Sequence, residues 1–533
     1  MLLSILGIAV SKFVVPDACG EGGWFSRDLL AGGDAAVWVA PDVDFAAEMR
    51  RMNLAPSRFE AQLVGGTYSS QAMDAESADL AAALKNRKVP AARIAEIVEA
   101  HQKERKKLAD FARRLDEYRQ QSRFSADSQA NPTAESNSKP PEMPQFDPVA
   151  GLPEEFADYF TGAIAWHNPA LPDKRLARDS WERLLELPPG ERRYKSVWAA
   201  FMLGKSWEEK DPDKAAAYFT QARDLAKHHF VDSLGLAAAS LGLEARLRLK
   251  QKQYEPAIEL YLAQLGAGDD TAIESLRIAS CEALQAQPIA LMPLAKNPRT
   301  QRTLTTYLVS LGPIRHYTLG DSGDFDDNAD SARRTPALHW LQAVEKAEVR
   351  DTETAEKLAL LAYQNEEPKT ARRWIERAPG SPVAAWVRAK LLIRDGKVEQ
   401  AESLLNRLTA SYPLVPHNPT NRIAPESLKD TLWVHGSSWP ERHLLGELGA
   451  VRLSRREYVR ALDAFLNSGF WKDAAYVAER VLSVQELKAY VDGSWPAVSS
   501  LQQAAEEEKY GADEASPAVL RKNIRYLLGR RLT

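Results

Sequence analysis

Apolar residues recur at intervals of three and four along much of this chain, and residues 384–413 carry the clearest instance. Ala385, Trp386, Ala389, Leu392 and Ile393 make the stripe of an amphipathic helix. Asp395-Gly396 breaks it, because glycine tolerates the left-handed backbone that ends a helix. Val398, Ala401, Leu404, Leu405 and Leu408 make a second stripe, which Pro413 stops. Two short antiparallel helices with a tight turn form a hairpin. A lone hairpin cannot bury both apolar faces, so copies must stack.

The same rhythm predicts helix pairs at 154–166 with 176–187, 196–207 with 212–226, and 233–249 with 254–265. It resumes at 352–364 with 368–378 and ends at 441–453 with 457–467. A further helix over 271–284 has no mate of the same size. Residues 288–335 interrupt the array with one helix, 302–311, and an acidic loop, 321–330. A second interruption, 413–440, is rich in proline and carries Trp433 and Trp439. Residues 470–484 continue helical, and Pro517 opens a last helix with no second helix to pack against. Such an end suggests a truncated product or docking against another surface.

Upstream, residues 70–84 read as helix and Pro90 opens a longer one to about 121. Within it Ile94, His101, Leu108 and Leu115 lie seven apart, as do Ile97, Glu104, Phe111 and Tyr118. This seam, with His101 and Glu104 as polar breaks, is expected to pack on its own chain. The basic run Lys103, Arg105, Lys106 and Lys107 reads as a solvated face. Between 122 and 153 Ser, Asn, Gln and Pro take over, with too little apolar material to offset chain ordering. The expected organisation is an N-terminal region, 1–121, with a candidate signal segment; a flexible linker, 122–153; hairpins over 154–286; an interruption, 287–335; hairpins over 336–490 with the 413–440 insert; and a C-terminal segment, 491–533. The fold class is all-α, a superhelix of stacked antiparallel helical hairpins with a small N-terminal region.

Several hairpins resemble the tetratricopeptide-repeat superfamily. Leu448, Gly449, Tyr458, Ala461 and Phe465 fall at that family's spacing, with Ser468 where alanine is usual. Leu203, Gly204, Ala215, Phe219 and Ala222 match with one residue removed at the turn. Tyr254, Ala257 and Tyr261 match in a second helix, as do Ala371, Ile375 and Ala378 with Pro382 beyond, and Ala401, Leu405 and Pro413. The resemblance implies an α-solenoid whose first helices line a concave groove for a partner's peptide or helix. Trp198, Phe201, Trp386, Arg388 and Lys390 are the candidate first-helix contacts.

Composition changes this picture little. A net charge of −4 over 533 residues argues for no nucleic acid. Cys19 and Cys281 supply neither a disulfide framework nor a zinc set. Residues 2–10 form an apolar run long enough for a signal segment and too short to span a bilayer. Ala18 before Cys19 fits peptidase cleavage or a lipid anchor at Cys19, whereas Lys12, Pro16 and Asp17 fit neither. Export to an envelope and a cytoplasmic location both stay open, and no transmembrane span is expected elsewhere.

No catalytic constellation stands out, and no cofactor is implied. His435 and His443 lie near Glu441 and are flanked by Trp433 and Trp439. The tryptophans anchor an insert to the solenoid, with these histidines at its edge; a small-ligand site or an enzyme built there is the alternative. Asp324, Asp326, Asn328 and Asp330 alternate as calcium ligands can, but Ala329 and Thr335 stand where an EF-hand needs Gly and Glu. Lytic transglycosylases share helical superhelices, yet neither Glu426-Ser427 nor Glu274-Ser275 is followed by the segment that family requires. The expected function is non-catalytic protein–protein scaffolding, with glycan or envelope-protein binding by an exported protein as the alternative.

Overall fold

The computed structural model describes residues 45–54, 68–127, 139–311, 327–348, 354–409, 440–495 and 517–533. Among them all regular structure is helical, with no strand. The fold is all-α and is built from helices packed in neighbouring pairs. The chain divides into two compact units, residues 49–283 and residues 284–533 with 1–48. A short helix, α1 (Phe45–Arg50), opens the described chain.

In residues 49–283, α2 (Tyr68–Asn86) pairs with α3 (Ala91–Asp127). The expected hairpins follow: α4 (Glu154–His167) with α5 (Arg175–Glu186), α6 (Ser196–Trp207) with α7 (Pro212–Lys227), and α8 (Leu236–Lys250) with α9 (Tyr254–Gly266). Each hairpin packs on the next, α5 on α6 and α7 on α8, before α10 (Ala272–Leu284). The heptad seam of α3 is buried on its own chain. Leu80, Ala83, Leu84, Ile97, Phe156 and Tyr194 form one core across α2, α3 and α4.

The expected linker is described again from residue 139, where it lies along α3. Arg93 donates to the Ala150 carbonyl at 3.0 Å, and the Asp147 N–H donates to Glu104 at 3.1 Å. Phe146 meets Phe160 edge-on at 5.6 Å. Glu104, a polar break in the seam, is thus the acceptor that fixes this strap.

In the other unit α11 (Pro288–Lys296) and α12 (Pro298–Ser310) occupy the expected interruption. Pro288 and Pro298 start these helices, because the first turn has no use for the missing N–H, and Pro293 lies inside α11. Asn297 caps α12, its side chain accepting from Arg299 and Thr300. The acidic stretch is helical from Asp327, where α13 (Asp327–Lys346) begins. Hairpins then recur as expected: α14 (Ala355–Gln364) with α15 (Pro368–Glu376), α16 (Pro382–Arg394) with α17 (Val398–Leu408), and α18 (Pro440–Ser454) with α19 (Tyr458–Ser468). After them come α20 (Trp471–Tyr476), a π-helical turn Val477–Val481, α21 (Val484–Ser494) and α22 (Pro517–Leu532). The last helix is not unpaired. Leu520, Ile524, Leu527 and Leu528 enter a core with Ala474, Val477, Leu487 and Val491. Burial on α20, α21 and the π turn replaces the missing hairpin mate.

Two local devices recur among the hairpins. At four of the six turns a left-handed residue ends the first helix and the next N–H reaches back five residues, as Gln253 to the Arg248 carbonyl at 2.8 Å and Lys397 to Leu392 at 2.8 Å. Glycine holds that position at Gly396, but Lys252, Glu366 and Arg456 hold it elsewhere. Within three hairpins, a glycine of the first helix lies under a large side chain of the second. A Cβ on Gly204 would sit 2.5 Å from the Phe219 ring, one on Gly449 2.9 Å from Phe465, and one on Gly162 2.3 Å from Trp181. These rings are fully buried and cannot swing aside.

Helix propensity alone favours Gly→Ala by about 1 kcal/mol. Overpacking costs about 1–3 kcal/mol. Gly204→Ala is therefore expected to lower unfolding free energy in a urea titration. Gly493→Ala, on an exposed helical site with open space around it, should leave it equal or raise it. A stabilised Gly204→Ala protein would contradict the close approach.

Candidate functional site: a cavity on the first helices of residues 49–283

A cavity of about 440 Å³ opens on α4, α6 and α8, with α2 and α3 contributing Ala72 and Arg105. This is the size of small-ligand and side-chain sites. On α6, Trp198, Met202 and Lys205 follow helical spacing and share one face, with Phe201 beside them. On α8, Ala239, Gly242, Leu243 and Arg246 repeat the arrangement. Tyr159 of α4 and Tyr261 of α9 complete an aromatic wall.

The start of α6 is held by charge. Glu155 accepts the backbone N–H groups of Tyr194 and Lys195 at 2.8 and 3.0 Å, an anion at a helix N-terminus. That fixes Lys195, whose side chain is fully buried against the aromatic rings of Phe156, Tyr159 and Trp198, at 3.4 Å from the last. Its ammonium lies 3.7 Å from Glu76 and 3.9 Å from Asp79, both on α2. Glu76 also takes Arg105 at 2.6 Å and faces His101 at 3.4 Å. Asp79 accepts from Ser233 at 2.7 Å. Arg105 is thus no member of a solvated face.

Burial works against the charge on Glu76, but Arg105, then Lys195, and the hydrogen bond and charge of His101 hold its carboxyl far below the usual range. Burial pushes Asp79 up and Lys195 down, each partly offset by the other. This cluster joins α2 and α3 to α4 and α6 and meets the cavity through Arg105 and Trp198.

Some polar atoms remain unmatched. The Trp198 indole N–H is buried with no acceptor, and the Gln264 Oε1 is buried with no donor, among the described residues. Gln264 spends its amide nitrogen on Asp269 at 2.7 Å.

Of the other sequence candidates, Trp386 and Lys390 are buried within the helix packing rather than exposed. The Trp386 indole donates to Glu447 at 2.6 Å, and Lys390 pairs with the same carboxylate, so together they fasten α16 to α18. Burial pushes Lys390 down and Glu447 up while their pairing opposes both shifts. Arg388 pairs with exposed Glu376 at 3.0 Å and borders a separate cleft of about 420 Å³ between α16 and α17. His443 is half-buried on α18, edge-on to Phe470 at 5.6 Å. Trp433, His435, Trp439, Asp324, Asp326 and Cys19 lie outside the described residues. Asn328 and Asp330 fall within α13, a helix rather than a calcium loop. Among the described residues no His, Cys, Asp or Glu group is placed to hold a metal, and no helix is long and apolar enough to cross a membrane.

Sequence reading missed Lys195, Glu76 and Arg105. The only signal was a lysine at the head of the apolar run Tyr194–Phe201, as legible as a solvated helix start. A scan of protein-family models and a search of curated proteins each find no match for the chain.

Replacing Glu76 by Gln removes the carboxylate that Arg105 pairs with and leaves Lys195 with Asp79 alone. Breaking a buried pair costs about 3–5 kcal/mol, and urea unfolding should show a loss of that order. Lys195→Met in the Glu76→Gln background should recover part of it, and a change within about 0.5 kcal/mol for Glu76→Gln would contradict the junction. His443 gives a pH dependence. Burial, with Lys390 adding repulsion, lowers its pKa from 6.5 to about 4. Between those values the unfolded chain binds a proton that the fold does not, so stability falls as pH drops from 6.5 to 4, by on the order of 3 kcal/mol. The difference between the native chain and His443→Gln, followed by chemical denaturation across that window, should carry this slope; parallel curves would refute it.

Proposed function

We propose that this protein is a non-catalytic scaffold of the tetratricopeptide-repeat kind, holding a segment of a protein partner against its first helices. The carrying observation is the cavity itself, built by equivalent faces of α6 and α8, joined by Tyr159 of α4 and walled by aromatic rings. Aromatic side chains with apolar bodies are the usual anchors of such contacts. Trp198 and Phe201, candidates from the tetratricopeptide-repeat resemblance, both border it. The α2–α3 pair closes one side, so the groove suits a short segment rather than a long helix laid along the array.

A photo-crosslinking residue at Met202, within the cavity, is expected to trap the partner from extracts of the native host. The same residue at exposed Lys252, at the α8–α9 turn, should not. Ala239→Arg, which fills the cavity from a half-buried site, should abolish the Met202 product. Equal trapping at both positions, or trapping unaffected by Ala239→Arg, would contradict the reading.

A further inference from the structure

The last helix carries charge of one sign. α22 holds Arg521, Lys522, Arg525, Arg530 and Arg531 and no Asp or Glu in its 16 residues. Arg530 and Arg531 sit in the last turn, where cations suit the helix dipole. Lys522 and Arg525 lie before it, where the dipole gains nothing from a cation.

Packing fixes which way these charges point. Leu520, Ile524, Leu527 and Leu528 are buried in the core with α20, α21 and the π turn. By helical spacing Lys522, Arg525, Tyr526, Arg530 and Leu532 share the opposite face, and all five are exposed. Two of the helix's cations are spent inside the protein. Arg530 pairs with Glu479, and Arg531 donates to the Ala478 carbonyl and, at 2.9 Å, to that of Leu482. Among the described residues Lys522 has no ion pair, and Arg525 donates to the Trp495 carbonyl at 3.2 Å without meeting a carboxylate. Tyr526 stands between them, 73% exposed, with Leu532, 56% exposed, further along. A helix that merely caps an array needs a polar outer face, which an exposed tyrosine and leucine do not serve.

The net charge of −4 means that an anionic body repels the protein as a whole and attracts it only through a local cationic face. This face is a convex helix surface, about 15 Å from Lys522 to Leu532, with apolar side chains interleaved among cations. Lipid headgroups take the cations, and the interfacial layer takes a tyrosine ring and a leucine. A nucleic-acid backbone has no use for Leu532, and an acidic peptide is held in a groove or on a strand edge rather than on a convex helix.

We infer that the outer face of α22 docks on a membrane surface bearing anionic phospholipid. Lys522 and Arg525 meet the headgroups, and Tyr526 and Leu532 reach the interfacial layer. The contact is adsorption rather than insertion, because the apolar face of the helix stays in the protein core. It is independent of the groove reading.

The test is co-sedimentation of the full chain with vesicles of phosphatidylcholine alone or with about one-third phosphatidylglycerol. Each cation near such a surface raises partitioning about fivefold, so the anionic vesicles should bind at least about tenfold better, and sodium chloride should release the protein. Lys522→Glu with Arg525→Glu should remove the difference, and Tyr526→Ser should weaken binding several-fold. Lys103→Glu with Lys106→Glu makes the same charge change at exposed sites on α3 and should leave binding as it was. Should the glutamates in α22 lower the urea midpoint, Lys522→Gln with Arg525→Gln should still weaken binding about tenfold or more. Equal binding to the two vesicles, binding to neither, or equal loss in the α3 and α22 variants would overturn the inference. So would capture by polyglutamate or poly(U) RNA with the anionic vesicles left unbound, which would give the face to another polyanion. Inorganic phosphate at matched ionic strength should not compete; competition would make this a free-anion site and remove the membrane.

Discussion

Three helix pairs in this protein come together where one helix has no side chain and the other has a large one. Gly162 lies under Trp181, Gly204 under Phe219 and Gly449 under Phe465, each too close for a single methyl group. That approach sets the spacing within a hairpin, and the spacing fixes which faces remain for the next hairpin. In residues 49–283 the faces left over on α4, α6 and α8 align beside one another, and the cavity lies on them. A hairpin held wider apart would present a different surface. The position of Trp198 relative to Leu243 is a consequence of packing at Gly204 on the opposite side of the same helix.

Charge does a second job that apolar packing cannot. Glu76, Lys195, Arg105 and Asp79 are brought out of water where α2 and α3 meet α4 and α6. An apolar junction of equal volume would be as stable or more so. A charged one, however, tolerates a single register, because a helix slipped by one turn strands an ion. Lys390 and Glu447 repeat the device between α16 and α18 in the other unit. Tryptophan accompanies both pairs, Trp198 beneath Lys195 and Trp386 bonded to Glu447. In the first case its ring also forms the cavity wall, so the junction positions the binding surface; in the second it is sealed within the core.

Much of this was legible in the residues. The predicted hairpins stand within a few residues of their expected bounds, because a 3.6-residue apolar period survives any choice of surface residues. Turns were less legible. A left-handed residue closes four of them, and the sequence advertises it at Gly396 but not at Lys252, Glu366 or Arg456, whose side chains disguise the conformation. Prolines misled in 288–298, where Pro288 and Pro298 begin helices. The final helix was misread because its mates, α20 and α21, follow no hairpin period. At the cavity, Trp198 and Phe201 could be picked from the resemblance, since large residues on a first helix face either core or groove. Lys390 could not be told from them, and the pairing of Glu76 with Lys195 carried no signal, because it joins positions more than a hundred residues apart.

The most direct test is a crystal structure of the full chain with the partner segment captured at Met202 bound. The account predicts peptide density between α6 and α8, with an apolar side chain beside Trp198. Density on the outer helices or in the cleft at Arg388, with the α6–α8 cavity bare, would contradict it.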